Sequence, residues 1–213
     1  MLLSAHSLPK VKICGLRQPE HVQTAVQCGA DAVGLMFYPP SPRHLTAPQA
    51  RKLAATVRGE VDVVGVFVDP SPEYLTAVLS AVSLDFLQFH GSESNAFCDS
   101  WGLPWLKAVA VQGGDNVEQA ICQWPDAEAI VLDSQVAGQS GGTGQVFDWA
   151  FFPHCCSRPL MVAGGLSPAN VAAAVTQLKP WGIDVSSGVE RRRGDKSHTL
   201  IRQFMEEVNR VRS

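Results

Sequence analysis

Short apolar, β-branched runs alternate with segments of helical period from one end of this chain to the other. The runs are Val11–Cys14, Ala32–Phe37, Val61–Val68, Phe86–His90, Trp105–Val111, Ala129–Asp133, Leu160–Ala163 and Ile183–Val185. Between most of them, apolar residues recur at i, i+3, i+4 and i+7. Examples are Ala50/Leu53/Ala54/Val57, Val171/Ala174/Val175/Leu178 and Ile201/Phe204/Met205/Val208. Each such set is one buried stripe on an amphipathic helix. Parallel strands need a crossover between them, so repeated strand–helix units predict a parallel sheet. Eight units in 213 residues fit the compact end of the closed (β/α)8 barrel. An open doubly wound sheet is the competitor, but it usually carries G-x-G-x-x-G after its first strand. Here the first strand ends in a single glycine, Gly15.

Helix starts are marked by two capping-box pairs, Thr46/Gln49 and Asp115/Glu118. Ser71-Pro72 and Ser167-Pro168 place a capping hydroxyl before a proline at the first helical position. Two intervals are weak. Glu93–Trp101 is a short helix at most, and Gln135–Phe152 is mostly loop with one turn at Phe147–Phe152. The expected architecture is therefore a single-domain (β/α)8 TIM barrel over residues 1–213, with a reduced helix after strand 6.

Strand parity then decides which side chains point inward. Lys10, Lys12 and Cys14 share one face, and Val11 and Ile13 the other. Gln88 and His90 oppose Leu87 and Phe89, Asp133 opposes Leu132, and Asp184 and Ser186 oppose Ile183 and Val185. The apolar sets belong against the helices. The polar sets belong inside, with the strand-end residues at the active face.

The chain is 46% hydrophobic and 17% charged, enough to bury a sizeable core and unlike a disordered segment. A net charge of −3 gives no reason to expect nucleic acid as a partner. Six cysteines occur without C-x-x-C or His-x-x-x-His spacing, so no metal is expected. The first nine residues lack the apolar core of a signal peptide, and no run approaches the ~18 apolar residues of a membrane span. The expectation is a cytoplasmic protein with reduced thiols and no membrane partner.

Strands seven and eight are followed by glycine loops, Ala163-Gly164-Gly165-Leu166-Ser167 and Asp184-Val185-Ser186-Ser187-Gly188. Such loops let a backbone approach an anion closely, and barrel enzymes commonly hold a phosphate between these two. Either loop alone is equally a plain turn. Cys14 lies at the end of the first strand, where a thiol can take part in chemistry. Most free cysteines are small buried hydrophobes, and the other five are read that way. Lys12, two residues down the same face, is placed to assist a thiolate, unless Asp184 neutralises it. Asp133 ends strand six before the glycine-rich stretch Gln135–Gln145, and loops of that composition often close over a substrate. Asp133 is a loop cap or an acid that holds its proton near neutrality. Arg43 lies in the proline-rich loop Tyr38-Pro39-Pro40-Ser41-Pro42-Arg43. It is a solvated charge or a clamp for a carboxylate. His90 is a base or a hydrogen-bonded structural residue. Arg191-Arg192-Arg193 reads as a solvated cluster that raises the local potential for an anion.

In this order, the motifs resemble the phosphoribosylanthranilate isomerase family of tryptophan biosynthesis over nearly the whole chain. The carrying residues are Lys12-Ile13-Cys14-Gly15-Leu16, Gly29-Ala30-Asp31-Ala32-Val33-Gly34, Phe37-Tyr38-Pro39, Arg43, Gly65-Val66-Phe67-Val68 and Gln88-Phe89-His90-Gly91. Leu132-Asp133, Gly141-Gly142-Thr143-Gly144, Phe147-Asp148-Trp149, Ala163-Gly164-Gly165-Leu166 and Asp184 to Glu190 complete them. The resemblance implies a cofactor-free Amadori rearrangement of N-(5-phosphoribosyl)anthranilate by general acid/base catalysis. It implies Cys14 as base, Asp133 as acid and Arg43 at the anthranilate carboxylate. Gly164, Gly165, Ser187 and Gly188 match the phosphate loops, and Asp184 is a lesser candidate for the ribose or amine. The partner implied is a small phosphoribosyl substrate, with no obligate protein partner. The chain departs from the family where Arg193-Gly194 replaces a proline-glycine turn and Lys196-Ser197 a lysine-acid pair. The alternatives are another phosphate-binding barrel enzyme, a non-catalytic binder of a phosphoribosyl ligand, and a thiol redox protein.

Overall fold

The computed structural model describes residues 1–3, 8–111, 117–134, 148–153, 156 and 158–212. Eight parallel strands close into a barrel in chain order. They are β1 (Lys10–Cys14), β2 (Ala32–Met36), β3 (Asp62–Phe67), β4 (Phe86–Phe89), β5 (Trp105–Ala110), β6 (Ala129–Asp133), β7 (Leu160–Val162) and β8 (Gly182–Val185). Each pairs with its sequence neighbours, and β1 pairs with β8 to close the ring. Around them lie α1 (Pro19–Gln27), α2 (Ala47–Ala55), α3 (Pro72–Ala81), α4 (Asn95–Asp99), α5 (Val117–Cys122), α6 (Val171–Leu178) and α7 (His198–Val211).

The parity expected from sequence holds. Val11, Ile13, Leu87, Phe89, Leu132, Ile183 and Val185 join the large core between strands and helices. A second, smaller core of Ala32, Val64, Phe86, Leu106, Ala108, Val131 and Met161 fills the barrel itself. Leu2 enters that inner core from the chain terminus and is 1% exposed. The helix stripes are buried as their period requires, most fully in α7 through Ile201, Phe204, Met205 and Val208.

Side-chain caps hold at four described helices, α7 among them, where Ser197 Oγ accepts from Leu200 N. Ser71 Oγ accepts from Tyr74 N at the start of α3, Ser94 Oγ accepts from Phe97 N at α4, and Gln49 Oε1 accepts from Thr46 N at α2. The Ser167-Pro168 start is a correction. Residues 168–170 form a turn and α6 begins at Val171, because the Asn170 side chain accepts from Ser167 N and donates to the Gly165 carbonyl. That bracing holds the loop after β7 instead of extending the helix into it. Between β6 and β7 the described residues contain one short 3-10 turn, Trp149–Phe151, capped by Asp148. Asp115 and the stretch Gln135–Phe147, including the glycine loop expected over the substrate, lie outside the described residues.

After β8 the chain makes a feature that its composition hid. β9 (Glu190–Arg192) and β10 (Asp195–Lys196) pair antiparallel and turn at Gly194. Arg191 and Arg192 point out, 66% and 80% exposed, and share Asp195. The cluster is solvated as expected, but it lies on a hairpin whose other face is buried.

Candidate active site

One side of the site forms at the end of β1. Cys14 is 6% exposed and lies in register with Gly34 of β2. A Cβ on Gly34 would lie 2.8 Å from Cys14 Sγ, so only glycine leaves the thiol its place. Lys12 is fully buried below it, and Lys12 Nζ donates to Asp184 Oδ2 at 2.8 Å from the neighbouring β8. Burial alone would strip the Lys12 charge, but Asp184 and Cys14 outweigh it and raise its pKa. Burial also pushes the Cys14 thiol up. Lys12 and Lys196 pull it back, Asp184 adds to the rise, and the thiol ends above its ordinary value. Lys12 is thus paired with Asp184, and its downward pull on the Cys14 thiol is smaller than the upward push of burial. Asp184 Oδ1 is buried with no hydrogen-bond partner among the described residues. It is an acceptor without a donor inside the barrel.

The other side forms at β6. Asp133 ends that strand, and His90 Nε2, just past β4, lies 3.5 Å from Asp133 Oδ2. Burial takes the His90 imidazole down to about 4. Near neutrality the contact joins a neutral ring to a carboxyl group and is not an ion pair. The next residue, Gly91, is held by Glu93, whose carboxylate accepts from Gly91 N and Asp69 N and is paired with Lys107 Nζ at 2.8 Å. This bracket fixes the chain on which His90 sits.

Gly164 and Gly165 both have positive φ, +77° and +67°. A Cβ on Gly164 would meet Ser134 Oγ at 2.2 Å and Asp133 Oδ1 at 2.7 Å. The loop after β7 therefore packs directly against Asp133 and Ser134. A Cβ on Gly188 would lie 1.8 Å from the Leu166 carbonyl oxygen. The loops after β7 and β8 thus press together backbone to backbone.

Arg43 departs from the picture of a solvated charge. It is 8% exposed, and its Nε and NH2 donate to Glu190 Oε1 and Oε2 at 2.6 and 2.8 Å. Its stem runs over Gly15, where a Cβ would lie 2.4 Å from Arg43 Cδ. The Arg43 stem is thereby packed against the residue that follows β1. Glu190 also accepts from Lys196 Nζ and Gly194 N. Lys196 Nζ donates in turn to the Ser186 carbonyl, and Ser186 Oγ donates to the Cys14 carbonyl.

These groups share one rim. In the closed ring, β7 and β8 separate β6 from β1. Asp133 and Cys14 therefore flank the two glycine loops, with Asp184 and Lys12 on the floor between. The family model for N-(5'phosphoribosyl)anthranilate (PRA) isomerase matches residues 11–207. The chain belongs to this family. An N-(5'-phosphoribosyl)anthranilate isomerase of Pseudomonas fluorescens (strain Pf0-1) is 46% identical over 202 residues, 95% of this chain and 99% of its own. One from Cellvibrio japonicus is 45% identical over 195 residues, 92% and 91% of the two chains. Among solved structures, phosphoribosyl anthranilate isomerase from Thermotoga maritima aligns with a TM-score of 0.86 at 35% identity, over 95% of this chain and 99% of that one. A phosphoribosyl anthranilate isomerase in complex with reduced 1-(o-carboxyphenylamino)-1-deoxyribulose 5-phosphate aligns at 0.83 and 34%, with the same coverage.

Glu190 and Lys196, to which the sequence assigns no role, join Arg43 in a buried charge cluster. Neither shows periodicity or a glycine signal, so nothing local announces that both turn inward. Among the other cysteines, Cys98 is fully buried, but Cys122 at the end of α5 is exposed. The buried-hydrophobe reading is corrected there, because Cys122 falls outside the Val117/Ile121 stripe. Cys155 lies outside the described residues. No described helix is long and apolar enough to cross a membrane.

Proposed function

We propose that this chain, acting as one domain over residues 1–213, isomerises N-(5-phosphoribosyl)anthranilate to 1-(2-carboxyphenylamino)-1-deoxyribulose 5-phosphate in tryptophan biosynthesis. The observation that carries the reading is the shared rim. A thiol and a carboxyl group flank paired glycine loops, and the stem of Arg43 packs on Gly15, the residue after the thiol.

In this reading the phosphate sits at Gly164, Gly165, Ser187 and Gly188, and the anthranilate carboxylate meets Arg43. Asp133 protonates the ribose ring oxygen. The C1–O bond breaks, the nitrogen lone pair completes a C=N bond, and an open-chain Schiff base results. The Cys14 thiolate removes the C2 proton, and the C2–H electrons form an enamine as the C=N electrons return to nitrogen. Tautomerisation gives the ketone. Groups on opposite sides of a substrate suffice for such a pair of transfers. The unpartnered Asp184 Oδ1 supports a contact with the amine or a ribose hydroxyl. The substrate is a small soluble molecule, and the proposed setting is the cytoplasm.

Freshly condensed phosphoribosylanthranilate fluoresces and loses that fluorescence on turnover. The purified chain should speed the loss far above the uncatalysed rate. Tight binding with no acceleration would instead make it a ligand-binding barrel.

A further inference from the structure

Arg43, Glu190 and Lys196 form a buried cluster in which two cationic side chains face one carboxylate. Arg43 is 8% and Lys196 2% exposed, so solvent screens the surplus poorly. Burial would push the Glu190 carboxyl up, but Arg43 and Lys196 outweigh it and hold it ionised. Its two oxygens are spoken for. Oε1 accepts from Arg43 Nε and Lys196 Nζ, and Oε2 from Arg43 NH2 and Gly194 N. Lys196 is anchored by the Ser186 carbonyl and hydroxyl, and Ser186 reaches Cys14. Glu190 therefore cannot swing away without breaking four contacts.

On the guanidinium, Glu190 takes the Nε/NH2 edge. NH1 makes no hydrogen bond among the described residues, so the NH1/NH2 edge is the one left to a second carboxylate. A free arginine side chain has about 2 kcal/mol of rotamer entropy to lose on binding. Here that freedom is already removed, and the cluster keeps one positive charge in excess. We propose that Glu190 is the positioning residue that aims Arg43, and that it thereby sets the preference for an N-glycoside bearing an ortho carboxylate. The inference rests on the isomerase reading above.

The test compares kcat/KM for phosphoribosylanthranilate with that for phosphoribosylaniline, which lacks the carboxylate. Both form by condensing ribose 5-phosphate with the amine. Wild type should prefer the carboxylate substrate by about tenfold or more, since a hydrogen bond to a charged group contributes about 1.5–3 kcal/mol. Glu190→Gln should cut that preference about tenfold, chiefly through KM for the anthranilate substrate, with little further effect in an Arg43→Met background. Should Glu190→Gln lose its fold by circular dichroism, Glu190→Asp takes its place. It keeps the charge, shortens the reach and should also lower the preference. An unchanged preference, an equal loss on both substrates, or an equally large loss without Arg43 would overturn the inference while leaving the isomerase intact. No turnover of either substrate by wild type would overturn the isomerase reading itself.

Discussion

Lys12 Nζ lies 2.8 Å from Asp184 Oδ2 inside the barrel, and both charges act on the thiol above them. Lys12 is fully buried, and its ammonium persists because Asp184 and Cys14 together outweigh desolvation. The same pair acts on Cys14 with opposite signs, Lys12 favouring the thiolate and Asp184 opposing it. Burial is the larger influence and pushes the thiol up, and the ion pair modulates that rise.

Lys12→Met should raise the Cys14 pKa further, and Asp184→Asn should lower it. The pH dependence of alkylation by iodoacetamide, with Cys122→Ser as background, reads this without substrate. The pH at which kcat/KM rises should be above the ordinary thiol value in the parent and move up in Lys12→Met. An alkylation profile unmoved by either substitution would show that the pair does not control the thiol.

His90 should stay neutral over the working range. Its pKa is lowered from 6.5 to about 4 by burial. The unfolded chain therefore binds the extra proton first as pH falls. The stability His90 contributes is complete above about 6.5 and is lost progressively down to about 4. NMR of the ring protons should show no His90 titration near 6.5. Denaturant melts of His90→Gln should show a shallower loss of stability over that interval than the parent.

Two glycines with similar backbone separate strain from crowding. Gly29 has φ +89° and open space where a Cβ would go, whereas Gly164 at +77° has Asp133 and Ser134 there. Gly29→Ala should cost about 1–2 kcal/mol of stability and leave kcat alone. Gly164→Ala should add a large fall in kcat by displacing the acid. Equal kcat in both variants would show that the contact with Asp133 has no role in turnover.

The exposed Cys122 should react first with a thiol reagent, without loss of activity, while the buried Cys14 reacts slowly and inactivates on labelling. Mass spectrometry of partly labelled protein, set against residual activity, gives the order. Activity lost in step with Cys122 labelling would contradict this.

The strands and their parity were legible because alternation along a strand is a local rule. Val11 and Ile13 turned out, and Lys12 and Cys14 turned in, on that rule alone. The Lys12–Asp184 pairing followed from the same parity once β8 closed on β1. What stayed hidden depends on contacts distant in sequence. Arg43 and Glu190 are 147 residues apart, and no composition rule pairs them. Gly34 reads as an ordinary strand glycine until the register places it against Cys14. Asn170 displaced the Ser167 cap because its side chain found Gly165 and Ser167 N, a local competition that the dipeptide Ser-Pro does not reveal.

The account turns on Cys14 as base and Asp133 as acid. Its most direct test is kcat of Cys14→Ala and of Asp133→Ala with phosphoribosylanthranilate. Each should fall by about 10²–10⁴-fold, the usual range for removing a positioned proton-transfer group, while Kd for the reduced product analogue stays within a few-fold of wild type. Near-normal kcat in either variant would contradict the assignment of that residue and the acid–base pair built on it.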